Sequence, residues 1–171
     1  MDLNALIRDI PDFPKEGINF KDITPLLRDP AGLAMAVEVM ANPFRGKGVD
    51  IVCGAESRGF IFATAIAQAL SAGFVPIRKP NKLPFDKHSI EYGLEYGTDT
   101  LEVHTDAVTA GQNVLMVDDL LATGGTMKAC LDLIEKLGGK IAGVSVLIEL
   151  TFLPGREKIK PHDDIFAALQ Y

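Results

Sequence analysis

With 171 residues, 47% of them hydrophobic and 23% charged, the chain has the size and makeup of one globular domain with a substantial core. A net charge of −6 and a pI near 5.0 argue against a nucleic-acid-binding domain, which usually shows a basic patch or a high pI. The apolar runs fall short of the ~18 residues that span a bilayer, and Met1 to Ile10 is amphipathic rather than signal-like, so no membrane partner is expected.

Leu3, Leu6, Ile7 and Ile10 fall at i, i+3, i+4 and i+7, which predicts a short amphipathic helix with Asp2 as N-cap, ended by Pro11 and Pro14. Ile18 to Ile23 reads as a brief extended run that stops at Thr24-Pro25. Asp29-Pro30 is a strong helix start, and Leu33, Val37 and Met40 give that helix its apolar face. Asp50 to Ala55 is a short buried strand. It leads into Glu56-Ser57-Arg58-Gly59 and then a helix to about Ala72 that is apolar almost all round, as a helix covered by a second subunit would be. Ser57, Arg58 and the loop amides can form an anion site, although Glu56 and Arg58 can also be a simple surface pair.

Phe74 to Lys79 is the next strand. From Pro80 to Thr98 periodicity breaks down, and a stretch that long reads as a functional lid. Arg78, Lys79 and Lys82 form a basic cluster in an otherwise acidic protein. Asn81 suits a left-handed turn. Glu95, flanked by tyrosines and glycines, is either a surface carboxylate or one that a closing lid desolvates. Leu101 and Val103 then alternate with polar residues as a strand in or beside the sheet.

The richest stretch is 113–126. Val114 to Val117 is a buried parallel strand, followed by Asp118 and Asp119 and then by Ala122-Thr123-Gly124-Gly125-Thr126 opening a helix. Gly124 and Gly125 let backbone come close to a ligand. The unpaired N–H groups and the helix dipole favour an anion there, and Thr123 and Thr126 add hydroxyls, so the loop is a cup for a monophosphate. The aspartates suit sugar hydroxyls, a metal or a cationic transition state. No lysine follows the glycines, so this is not a Walker A loop, and it is not GxGxxG. Gly138-Gly139 ends the helix, Ile141 to Leu150 is the last long strand, and the mixed-charge turn Gly155-Arg156-Glu157-Lys158 has no evident role. Cys53 and Cys130 read as buried free thiols, which fits a reducing cytoplasm, and the three histidines lack metal-ligand spacing. Strands alternating with helices predict an α/β fold with a doubly wound, mainly parallel sheet flanked by helices.

Val117 to Thr126 resembles the phosphoribosyl-pyrophosphate motif of type I phosphoribosyltransferases, in the Leu-Leu-Ala-Thr-Gly-Gly-Thr form of their adenine-specific branch. The resemblance covers nearly the whole chain. It implies one domain over 1–171, with a hood over about 1–28 and a mobile lid over about 80–98. It implies transfer of phosphoribose from 5-phosphoribosyl 1-pyrophosphate to adenine, giving AMP and pyrophosphate, with Mg²⁺ and as a homodimer. Phosphoribose would be held by Asp118, Asp119 and Ala122 to Thr126, and pyrophosphate by Ser57, Arg58, Arg78, Lys79 and Lys82. Phe20 would stack on adenine, backbone groups of Asn19 and Lys21 would read its edge, and Leu150 would pack against it. Glu95 would be the general acid/base, and no protein side chain is assigned as a metal ligand. A substrate sensor with the same fold, another purine phosphoribosyltransferase and a generic nucleotide-binding domain are the competing readings. The first lacks a basic recognition helix, the second fits the hood and lid patterns less well, and the third leaves the aspartate pair unexplained.

Overall fold

A strand that is apolar on both faces must be covered on both sides. In the computed structural model, which describes residues 2–93 and 97–171, that strand is β7 (Asn113–Leu121), at the centre of a five-stranded parallel sheet. Its neighbours are β3 (Ile51–Ala55) and β8 (Lys140–Glu149). Outside them lie β4 (Gly73–Ile77) and β9 (Ile165–Gln170), so the order is β4-β3-β7-β8-β9. Chain progress runs outward from β3 to β4, then restarts at β7 and runs the other way. The boundary between β3 and β7 is therefore the topological switch point, where open α/β sheets leave a crevice at their carboxyl ends.

Alternation along β7 sorts its side chains into two cores. Val114 and Met116 face α4 (Gly125–Lys136), where Met127, Cys130, Leu131 and Ile134 are buried. Leu115 and Val117 face α2 (Pro30–Ala41) and α3 (Arg58–Leu70), with Met40, Phe62 and Ile66. Asp29 caps α2 as its sequence predicts, accepting from the Gly32 N–H at 2.7 Å. Along α3 the buried residues are Gly59, Phe62, Ala63, Ile66 and Ala67, while Ile61 is 39% exposed on the outer side. Cys53 and Cys130 are buried free thiols.

Two elements differ from their expectation. The N-terminal amphipathic segment is helical only over Leu3–Leu6, a 3-10 turn capped by Asp2. Arg8–Ile10 is instead strand β1, paired antiparallel with β2 (Phe20–Asp22), because Ile10 and Arg8 find partners in Phe20 and Asp22. A short helix α1 (Thr24–Arg28) follows, its entry set by Asp22, whose carboxylate accepts from the Thr24 N–H and hydroxyl.

The stretch after β4 is not irregular throughout. β5 (Lys87–Gly93) and β6 (Thr98–His104) form an antiparallel arm whose Ile90, Tyr92, Leu101 and Val103 pack on the α4-side core. Asn81 does take the left-handed conformation, φ 64°. β8 is the last long strand, as expected, and a short helix α5 (Gly155–Lys158) then returns the chain to the shorter β9. No helix among the described residues is long and apolar enough to cross a membrane.

The helix α3 lies unusually near β3 at Gly54, where an added Cβ would stand 2.7 Å from Ala63 Cβ and 3.0 Å from the Gly59 carbonyl oxygen. Gly54→Val is expected to lower unfolding stability by about 1–3 kcal/mol through overpacking. A urea melt with an unchanged midpoint would show that α3 can move away.

Candidate functional site

Both charged loops open at the switch point. β7 runs on through the acid pair to Leu121, so Asp118 and Asp119 are strand residues rather than part of a following loop. Gly124 then takes φ 84° and serves as N-cap of α4, with no side chain bonding to the helix end. The first-turn N–H groups of Gly125, Thr126 and Met127 therefore face the space beyond the strand, where the dipole favours an anion. Gly124 must be glycine for two reasons: its φ is positive, and a Cβ there would stand 2.7 Å from the Gly155 carbonyl oxygen. Arg58 and residues 118–127 line a cavity of about 200 Å³.

The two carboxylates have different partners. Asp119 meets Arg58 Nε at 3.0 Å, and its side chain is 7% exposed. Asp118 accepts from the Asp119 N–H at 2.9 Å and stands against the first turn of α3, where a Cβ on Gly59 would come within 3.0 Å of its Oδ1. Burial, and then the neighbouring charge of Asp119, push the Asp118 carboxyl well above its usual value near 3.8. Burial also raises Asp119, with Arg58 pulling the other way.

Arg58 opens α3 and lines a second hollow, of about 490 Å³, whose other walls are Ile10, Phe13, Phe20, Asp22, Ile23, Thr24, Leu27 and Ile61. Its guanidinium carbon sits 5.2 Å from the Phe20 ring centroid, and Phe13 meets the same ring edge-on at 5.2 Å. One cation thus stands between a polar cup and an apolar recess. Glu56 is not its partner. It accepts from Arg78 Nε at 2.9 Å and from the Lys79 N–H at 3.0 Å, and the Arg78 bond holds its carboxyl below the usual range. Ser57, the N-cap of α3, is exposed and makes no side-chain capping bond.

The remaining candidates are placed as follows. Lys79 donates to Asp99 of β6. Asp99 also accepts from the Tyr92 hydroxyl at 3.3 Å, and Thr126 Oγ1 lies 3.4 Å from that hydroxyl. Burial opposes the ionisation of Asp99, but Lys79 and the Thr100 N–H prevail and its carboxyl is lowered. Lys82 is exposed. The Lys21 ammonium donates to Asp9 at 2.6 Å and lies 3.8 Å from the Tyr171 ring centroid. Asn19 is exposed, just before β2. Leu150 follows β8, its N–H bonded to the Leu121 carbonyl at 3.0 Å. Glu95 lies outside the described residues. The sequence reading gave no site role to Asp99, Tyr92 or Arg156. Of these only Tyr92 had a signal, the alternation of Ile90 and Tyr92 with Ser89 and Glu91.

A carboxylate pair at a strand end, an anion cup at the next helix and a cation opening the neighbouring one have the chemistry to suit a phosphorylated sugar at the switch point of a doubly wound fold. The phosphoribosyl transferase domain family matches residues 24–168. Adenine phosphoribosyltransferase of Symbiobacterium thermophilum is 58% identical over 165 residues, covering 96% of this chain and 97% of that one. The crystal structure of adenine phosphoribosyltransferase from Thermoanaerobacter pseudethanolicus superposes with TM-score 0.95 at 50% identity, over 99% and 98% of the two chains. That from Saccharomyces cerevisiae, complexed with adenine and an imino-altritol bisphosphate, gives 0.92 at 37% identity over 98% and 96%. The chain belongs to the phosphoribosyltransferase family, in its adenine phosphoribosyltransferase branch.

A raised carboxyl in the folded state contributes stability that is complete below the unfolded pKa and lost as pH rises through the folded one. Asp118→Asn is therefore expected to melt higher than the parent at pH 8, with the gap closing toward pH 4. Thermal melts across that range check it; a constant gap, or a lower melting point at pH 8, contradicts the assignment of buried strain to this pair.

Proposed function

We propose that this protein transfers the 5-phosphoribosyl group of 5-phospho-α-D-ribose 1-diphosphate to adenine, forming AMP and diphosphate in purine salvage. One observation carries the reading: the acid pair lies between a phosphate cup and an Arg58-bearing loop at one switch point. A substrate with phosphate at one end and diphosphate at the other matches that order. The adenine assignment is supported by relatives of that name matching along nearly the whole chain.

The backbone of Ala122 to Thr126 and the hydroxyls of Thr123 and Thr126 hold the 5′-phosphate, which positions the ribose without taking part in bond making. Asp118 and Asp119 hold the 2′- and 3′-hydroxyls and face the positive charge that grows on the ring as the C1–diphosphate bond breaks. The leaving diphosphate takes the bonding electron pair. Ser57, Arg58, Arg78, Lys79 and Lys82 receive its charge. Arg58, Arg78 and Lys79 are each paired with a carboxylate (Asp119, Glu56 and Asp99), and the incoming diphosphate competes for them. Adenine stacks by Phe20 and Leu150, with backbone of Asn19 and Lys21 on its polar edge. Its nitrogen attacks C1 as the ring proton leaves, and Glu95 manages that proton.

Mg²⁺ would accompany the diphosphate and neutralise the leaving charge. Among the described residues no group of three or more His, Cys, Asp or Glu is placed for a metal. Two carboxylates beside substrate phosphates suit an ion that brings most of its own oxygens. The hood over about 1–28 and the lid over about 80–98 belong to one catalytic domain. Exposed Phe13, Ile18 and Ile61 support a homodimer, and buried reduced Cys53 and Cys130 suit the cytoplasm.

Product formation with adenine, hypoxanthine and guanine in parallel tests the reading, alongside Glu95→Gln. Only adenine is expected to react, chelation of Mg²⁺ to abolish turnover, and the variant to lose about 100-fold or more in kcat while still binding AMP. Equal rates with 6-oxopurines would overturn the hood assignment. Binding of the diphosphate substrate without turnover of any base would point to a sensor.

A further inference from the structure

Residues 155–158 have no part in the reaction just described, yet they touch both ends of its site. Glu149 closes β8 with its side chain only 6% exposed. Arg156 of α5 donates to it twice, Nε to Oε1 at 2.5 Å and Nη2 to Oε2 at 2.7 Å, and Gln170 Nε2 adds a bond to Oε2 at 3.0 Å. Such a fork fixes angle as well as distance, which a lysine cannot do. The next residue is Leu150, held by its own N–H on the Leu121 carbonyl and by the Leu153 N–H on its carbonyl, at 3.1 Å.

The residue before Arg156 then reaches the cup from behind. A Cβ on Gly155 would stand 2.5 Å from the Ala122 carbonyl oxygen and 2.9 Å from the Leu121 side chain. The approach is mutual, since Gly124 has room only for a hydrogen against Gly155. One short helix is thus bonded to the strand end that presents Leu150 and packed against the loop that takes the phosphate.

We propose that Gly155 and Arg156 are positioning residues that set the spacing between the base wall at Leu150 and the phosphate cup at residues 122–126. The proposal rests on the placing of adenine and the 5′-phosphate given above. A ligand that spans both ends is sensitive to that spacing, and one that reaches only the cup is not. AMP spans both. The diphosphate substrate engages the cup and the Arg58 loop without Leu150.

Calorimetric titration of AMP and of 5-phosphoribosyl 1-diphosphate into the parent and Arg156→Lys, with thermal melts of each, tests this. AMP is expected to bind about tenfold more weakly to the variant and the diphosphate substrate to change by less than about threefold, as KM for adenine rises and KM for the diphosphate substrate holds. Gln170→Leu, which loosens Glu149 from its other side, should shift AMP in the same direction by a smaller factor and stands in should the lysine variant not fold. Equal weakening of both ligands overturns the proposal. So does a lower melting point with unchanged AMP affinity, the mark of a merely structural pair. If the parent binds neither ligand, the functional reading beneath has failed; if it binds both and the variants bind alike, only the spacing role has.

Discussion

Two adjacent carboxylates at the buried end of a central strand are the constraint on which the rest of this structure depends. Like charges in a low dielectric repel, and burial alone already disfavours each ionised form. Nothing in the packing of β7 requires them, since apolar residues at 118 and 119 would continue the two cores that Met116 and Val117 begin. The arrangement is tolerable because each carboxylate has a partner: Arg58 meets Asp119, and Asp118 has a backbone N–H to accept from. In the reaction proposed above, positive charge growing on the ribose beside the pair would relieve the same repulsion.

The neighbours of that pair are small wherever they must be. Gly59 lets the first turn of α3 come down onto Asp118, and Gly54 lets the rest of the helix follow. Gly124 and Gly155 do the same on the other side of the cup. Two helices with no room to shift hold a rigid polar cavity at the switch point, so the backbone donors are in place before any ligand arrives.

What was legible from sequence was local. The Val114–Thr126 run carries strand, acids, glycines and helix in consecutive residues, and the Asp29-Pro30 helix start and the left-handed Asn81 are equally local. What was not legible depends on a partner far along the chain. Leu3, Leu6, Ile7 and Ile10 satisfy a helical period, yet Ile10 is drawn into a ladder by Phe20. The β5–β6 arm has only the brief alternation of Ser89 to Tyr92 to mark it, and β9 is a short run whose Ala167 and Ala168 have little strand preference. The ion pairs show the same limit. Glu56 and Arg58 look paired in sequence, but Glu56 joins Arg78 across to β4 and Arg58 joins Asp119 across to β7.

The two ends of the site are built from different materials, and that difference has consequences. The end proposed for the phosphate is mostly backbone, fixed by glycine geometry and a helix end, and the end proposed for the diphosphate is made of side chains already paired with carboxylates. One of those, Asp99, sits on the β5–β6 arm, where the Tyr92 hydroxyl joins it to Thr126 at the cup. Lys79 can turn to a diphosphate only by exchanging Asp99 for it, so filling that end must change what holds the arm, while filling the cup need move little. A fixed phosphate anchor and an exchangeable diphosphate grip suit a reaction in which the phosphate stays on the sugar throughout and the diphosphate leaves.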